Sequence, residues 1–88
     1  MRVGIARFIY TRCSHASGII IHRRENNCVR VDFVISGRHL NLIFLRNKKT
    51  KSWELVDFSV ELRVLASEVL NKLNRNEKGM LNHEQKRP

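Results

Sequence analysis

The clearest alternation of apolar and polar positions lies at residues 28–35, where Val29, Val31, Phe33 and Ile35 share one side and Arg30 and Asp32 the other. A period of two predicts a half-buried β-strand. Ser36-Gly37 supplies a turn, and residues 39–45 return with Leu40, Leu42 and Phe44 on one side and Asn41, Ile43 and Leu45 on the other. Upstream, Ile19-Ile20-Ile21-His22-Arg23-Arg24 is a β-branched run that predicts another strand, and Glu25-Asn26-Asn27 is a hairpin loop, since Asn tolerates the left-handed backbone of tight turns. Residues 53–58 (WELVDF) predict a last strand after the loop at 46–52 (RNKKTKS). Residues 2–12 (RVGIARFIYTR), rich in Ile, Phe and Tyr and poorly phased for a helix, predict a first strand, broken off by the turn-rich SHASG at 14–18.

The period changes after residue 59. Leu62, Leu65, Ala66, Val69, Leu70 and Leu73 fall at i, i+3, i+4, i+7, i+8 and i+11, an apolar stripe that predicts a helix over 60–75. Ser59 is positioned to cap it, Glu61 suits the positive end of its dipole, and Glu68 and Lys72 are spaced i, i+4 in the favourable order. Gly79 is the expected stop, with 80–88 (MLNHEQKRP) a flexible tail beyond a single domain at 1–79. The expected fold is α+β: an antiparallel four- to five-stranded meander sheet followed by one C-terminal amphipathic helix. One helix covers one sheet face, so Val34, Ile43 and Leu45 on the other call for cover, and a homodimer is the expected solution. A sheet followed by one such helix resembles the single-strand-binding transcriptional coactivators and whirly proteins. That resemblance implies dimerisation through the helix and binding of single strands, and it carries no residue roles.

Charge sharpens this picture. The 88 residues hold 17 Lys and Arg against 8 Asp and Glu, a net charge of +9, and the excess is confined to one segment. Through Ser52, Arg2, Arg7, Arg12, Arg23, Arg24, Arg30, Arg38, Arg46, Lys48, Lys49 and Lys51 face only Glu25 and Asp32, whereas from Trp53 onward acids and bases balance. A one-sided field attracts phosphate, and the preference for Arg favours bidentate pairing with it. Nucleic acid is the expected partner, single-stranded DNA or RNA in particular, with an acidic protein surface as the alternative. Candidate contacts are Arg7, Arg12, Arg23, Arg24, Arg30, Arg38, Arg46 and the hairpin cations Lys48, Lys49 and Lys51, with the Thr50 hydroxyl beside them. Tyr10 and Trp53, amphipathic rings next to positive charge, are the candidates for base stacking.

Other chemistry is thinly represented. Cys13, His15, His22 and Cys28 do not have a usual structural-zinc spacing, and no metal or cofactor is expected. No glycine-rich phosphate loop, nucleophile elbow or framed carboxylate pair points to an enzyme. A small ribonuclease, with His15, His22 or His39 as the titrating group, is the remaining catalytic reading. No apolar run approaches the length of a membrane span, and two cysteines without a disulfide framework suit a cytoplasmic setting.

Overall fold

The computed structural model describes the backbone of residues 3–86 and the side chains of residues 4–75. Met1, Arg2, Arg87 and Pro88 lie outside the described residues, as do the side chains of the expected tail. The order is α1 (Val3–Arg12), β1 (Gly18–Arg24), β2 (Cys28–Ile35), β3 (Arg38–Arg46), β4 (Trp53–Phe58), a 3₁₀ turn (Val60–Leu62) and α2 (Arg63–Lys86). The strands form a four-stranded antiparallel meander in the order β1-β2-β3-β4, so β1 and β4 are its edges.

Two tight turns set the register. Glu25 (φ 51°) and Asn26 (φ 59°) take the left-handed backbone between β1 and β2. Ser36 (φ 52°) and Gly37 (φ 77°) do so between β2 and β3, which pair directly on either side as Ile35 with Arg38. Consecutive left-handed residues match the twist of an antiparallel pair. The registers place Val29, Val31 and Phe33 beside Phe44, Leu42 and Leu40, and all six are buried. A register shift between Ile43 and Phe44 marks a bulge in the β3–β4 pair, opposite Val56.

The first element corrects the reading of the sequence: residues 3–12 are a helix, not a strand. Ile5, Ile9 and Cys13 are buried at i, i+4 and i+8, with Phe8 packed beside them, so the helical stripe was present beneath the β-favouring composition. Burial against α2 and the sheet outweighs the weak intrinsic preference of Ile, Phe and Tyr for strands. Arg12 fastens the two helices, its guanidinium 3.1 Å from the Glu68 carboxylate and 4.9 Å from the centre of the Phe8 ring, on which Lys72 also rests at 5.3 Å.

At the other end of the chain, the Ser59 hydroxyl does not cap the helix. It accepts the Asn41 backbone N–H (3.0 Å) instead, and the Ser59 carbonyl accepts from Leu62 N–H (2.8 Å). Glu61 pairs with Arg38. Its carboxyl is held below the usual range first by a hydrogen bond from its own backbone N–H and then, against desolvation, by the Arg38 guanidinium. α2 continues through Gly79 to Lys86, because a lone glycine costs a helix only about 1 kcal/mol and no proline follows before position 88.

Ile5 and Ile9 of α1 and Leu65, Ala66, Val69 and Leu73 of α2 belong to one core with the inward residues of all four strands. Both helices therefore cover the same sheet face, and the opposite face is open. On that face Val34 and Ile43 are half-buried, while Ile20 and Leu45 are exposed. No helix among the described residues is long and apolar enough to cross a membrane.

Candidate nucleic-acid interface

Strand parity decides which cations act together. His22 pairs with Arg30 and Arg24 with Cys28, so His22, Arg24 and Arg30 share the open face, whereas Arg23 points to the helix-covered side at the exposed edge. On the open face Asp32 lies between two of these groups: His22 Nε2 is 3.2 Å from one carboxylate oxygen and Arg30 Nε 3.3 Å from the other. Arg30 is thus partly neutralised. The register also shows that no Phe, Tyr or Trp side chain of the described strands points to this face. A depression of about 530 Å³ beside Gly18, Ile20, Asp32, Phe33 and His39 offers space there.

The densest positive region is at one end of the sheet. The β1–β2 turn and the β3–β4 loop lie side by side, tied by a hydrogen bond from Arg46 N–H to the Asn27 carbonyl (2.9 Å). Between them Arg46, Lys48 and Lys51 line a depression of about 280 Å³ with Glu25, Asn26 and Asn27. The loop is organised from within. Asn47 Oδ1 accepts backbone N–H groups of Lys49 (2.8 Å) and Thr50 (3.1 Å), the Asn47 carbonyl accepts from Lys51 N–H (2.7 Å), and Asn47 N–H donates to the Ser52 carbonyl (2.7 Å). Arg46 Nε donates to the Lys51 carbonyl (3.3 Å). With its backbone so satisfied, the loop turns Lys48, Lys49 and Lys51 outward, all exposed. The Thr50 hydroxyl does not join them, because it is engaged with the Ser52 hydroxyl at 2.8 Å.

The remaining candidates are placed apart. Arg7 and Tyr10 are exposed on α1, in the helical layer, and Arg12 is committed to Glu68 and Phe8. Arg38 stands at the opposite end of the sheet, beside Glu61. Trp53 is only 3% exposed, and its expected stacking role is corrected accordingly: the indole belongs to the core. The Asn74 side chain holds it there, accepting Trp53 N–H (2.7 Å) through Oδ1 and donating to the Trp53 carbonyl (3.2 Å) through Nδ2. Asn74 is the residue that sequence reasoning missed, and only its place on the inward side of the helical stripe hints at it.

Cys13 and Cys28 are free and lie on opposite faces of the sheet, and the described residues bring no three His, Cys, Asp or Glu side chains together as a metal site. Burial pushes the Cys13 thiol up. Alkylation by iodoacetamide at neutral pH is expected to modify Cys28 well before Cys13, since the thiolate is the reactive form and Cys13 is buried. Mass mapping showing Cys13 modified first would contradict the packing of α1. His22 and His39 share the open face but are separated by the row Ile20, Asp32 and Asn41, too far apart to act as one acid–base pair. Comparison of the chain with known protein families, with curated protein sequences and with solved structures finds no match.

Proposed function

We propose that this chain is a nucleic-acid-binding protein that grips the phosphate backbone with the basic end of its sheet. The observation that carries the reading is the β3–β4 loop: its backbone is fixed by internal hydrogen bonds while Lys48, Lys49 and Lys51 project from it beside Arg46 and the β1–β2 turn. Cations on a preformed loop lose less freedom on meeting successive phosphates than cations on a mobile one. Arg23 and Arg24 end β1 at the same edge and extend the field, and Glu25 and Glu54 are the acids near it. Arg7 and Tyr10 form a separate and weaker patch on α1.

Phosphate gripping without a stacking platform makes the binding tolerant of base sequence. The preference for single strands drawn from the sequence therefore rests on Tyr10 alone. In this reading the protein binds and does not cleave, and it acts inside the cell, where nucleic acid is present and both thiols stay reduced.

A titration of the protein against single-stranded DNA, single-stranded RNA and duplex DNA at two salt concentrations tests this. The expected result is measurable binding to all three, with log K falling on log salt at a slope of about −0.7 per phosphate contact for single strands and about −0.9 for duplex. The RNA should be recovered intact. Absence of binding at low salt would sink the reading and leave an acidic protein partner as the alternative, and tight binding that ignores salt would contradict a grip on phosphates.

A further inference from the structure

We infer that copies of this chain assemble head to tail, with edge strand β1 of one copy adding to edge strand β4 of the next. Both edges leave one side of their backbone without a strand partner, on β4 beyond Trp53, whose outward N–H and C=O are taken by the Asn74 side chain, and such edges are templates for another strand. Their charges are opposite. β1 ends in Arg23 and Arg24 with no acid of its own, whereas β4 carries Glu54 and Asp57, Glu61 follows, and no base occurs from Trp53 to Leu62.

Self-pairing of like edges lacks this attraction. Two β4 edges in full antiparallel overlap set Glu54 opposite Asp57, which costs energy, and two β1 edges set Arg23 and Arg24 opposite Ile19 and Gly18, with no charge to meet. The unlike pairing is the attractive one. It is also the one the topology allows without reversal, because with four antiparallel strands β4 runs opposite to β1, so an added β1 in the same orientation continues the meander and keeps every helix on one side.

Register supports the match. When inward residues are kept beside inward ones, Leu55 meets Ile21 and Glu54 meets His22 diagonal to Arg24. Beyond that, Val56 and Asp57 together oppose Ile20, the bulge absorbing the extra residue, and Phe58 meets Ile19. Ile20, Val56 and Phe58 are 59%, 54% and 39% exposed in the single chain, and this pairing sets Val56 beside Ile20 on the open face and Phe58 beside Ile19 on the helix-covered face. Successive copies would place their basic loops on the same side, about 19 Å apart at four strand spacings. The assembly itself needs no nucleic acid, so its test is independent of the proposed function.

Sedimentation equilibrium of the wild-type chain alone, from micromolar to millimolar concentration, is expected to show mass growing past two copies or settling at a closed ring. A chain that stays at its single mass throughout would overturn the inference, as would a dimer that goes no further. Glu54→Lys with Val56→Lys on the β4 edge, and Ile20→Glu with Arg24→Glu on the β1 edge, should each weaken association about tenfold or more. An equimolar mixture of the two variants should recover it, because the altered edges complement each other. Loss with the β4 changes but not the β1 changes would show two-fold β4 pairing instead and refute the head-to-tail arrangement, as would two folded variants that fail to recover on mixing. Should a charge variant not fold, a chain carrying Ile20→Cys, Val56→Cys and Cys28→Ser decides the matter. On mild oxidation it should give a disulfide-linked ladder, and linkage confined to monomers or dimers would refute the arrangement.

Discussion

Trp53→Ala is expected to lower the unfolding free energy by about 3–5 kcal/mol, the usual cost of emptying a buried aromatic site. The indole is 3% exposed at the point where β4 leaves the basic loop, and Asn74 pins its backbone from α2 with two hydrogen bonds. A chain of 88 residues has a total stability of about 4–13 kcal/mol, so the variant stands near the edge of unfolding and its Tm should fall by at least about 12 °C. Tyr10→Ala, at a ring 49% exposed on α1, should change stability by no more than about 0.5 kcal/mol.

Urea denaturation followed by circular dichroism measures both. The informative companion is Trp53→Phe, which keeps an aromatic ring in the core and gives up no hydrogen bond, because Trp53 Nε1 has no partner among the described residues. That variant should retain its affinity for nucleic acid within a factor of about 2, as expected for a substitution that removes no direct contact. A loss of affinity greater than about tenfold with stability unchanged would put the ring on the ligand and contradict its burial.

The contrast between Trp53 and Tyr10 shows where the sequence stops being readable. Alternation is a local signal, so β2 and β3, with Val29, Val31 and Phe33 facing Leu40, Leu42 and Phe44, could be read directly, as could the stripe of α2. Ser36-Gly37 and Glu25-Asn26-Asn27 were readable as turns for the same reason: their chemistry is contained in two or three residues. The helix at 3–12 was not. Its apolar stripe of Ile5, Phe8, Ile9 and Cys13 is short, and the composition around it favours strand. What decides the matter is contact with α2, including the Arg12–Glu68 pair that spans 56 positions of sequence.

Of the cations expected to act together, those of the β3–β4 loop are grouped by sequence alone, and the placing of the others is not local. The basic loop could be seen because Arg46, Lys48, Lys49 and Lys51 fall within six residues. Which other cations join it depends on facts that are not local: Arg23 and Arg24 point to opposite faces, Arg30 is shared with Asp32, Arg38 is held by Glu61 at the far end, and Arg12 belongs to the helix pair. A charge count along the chain adds these together. The fold separates them, so the field is strongest at one end of the sheet and not spread over a face.

That separation makes the loop lysines the place where the largest change in binding is expected. Lys48→Ala, Lys49→Ala and Lys51→Ala together should weaken binding to single-stranded nucleic acid about 100-fold near physiological salt, since each lost phosphate contact removes a counterion-release contribution of about two-thirds of a decade there. The slope of log K against log salt should become shallower by about 2, because three contacts at about 0.7 each have gone. Stability should change little. The side chains are exposed, and the hydrogen bonds that shape the loop come from Asn47 and the backbone, not from the lysine ammonium groups. Arg7→Ala with Arg38→Ala provides the control: the substitutions remove two positive charges from the same +9 chain but from the helical layer and the far end, and should cost less than about tenfold in affinity. If the two sets of substitutions weakened binding equally per charge removed, net charge alone would account for it. A steeper loss per charge at the loop, with the shallower salt slope, is the result that a defined phosphate-gripping end requires.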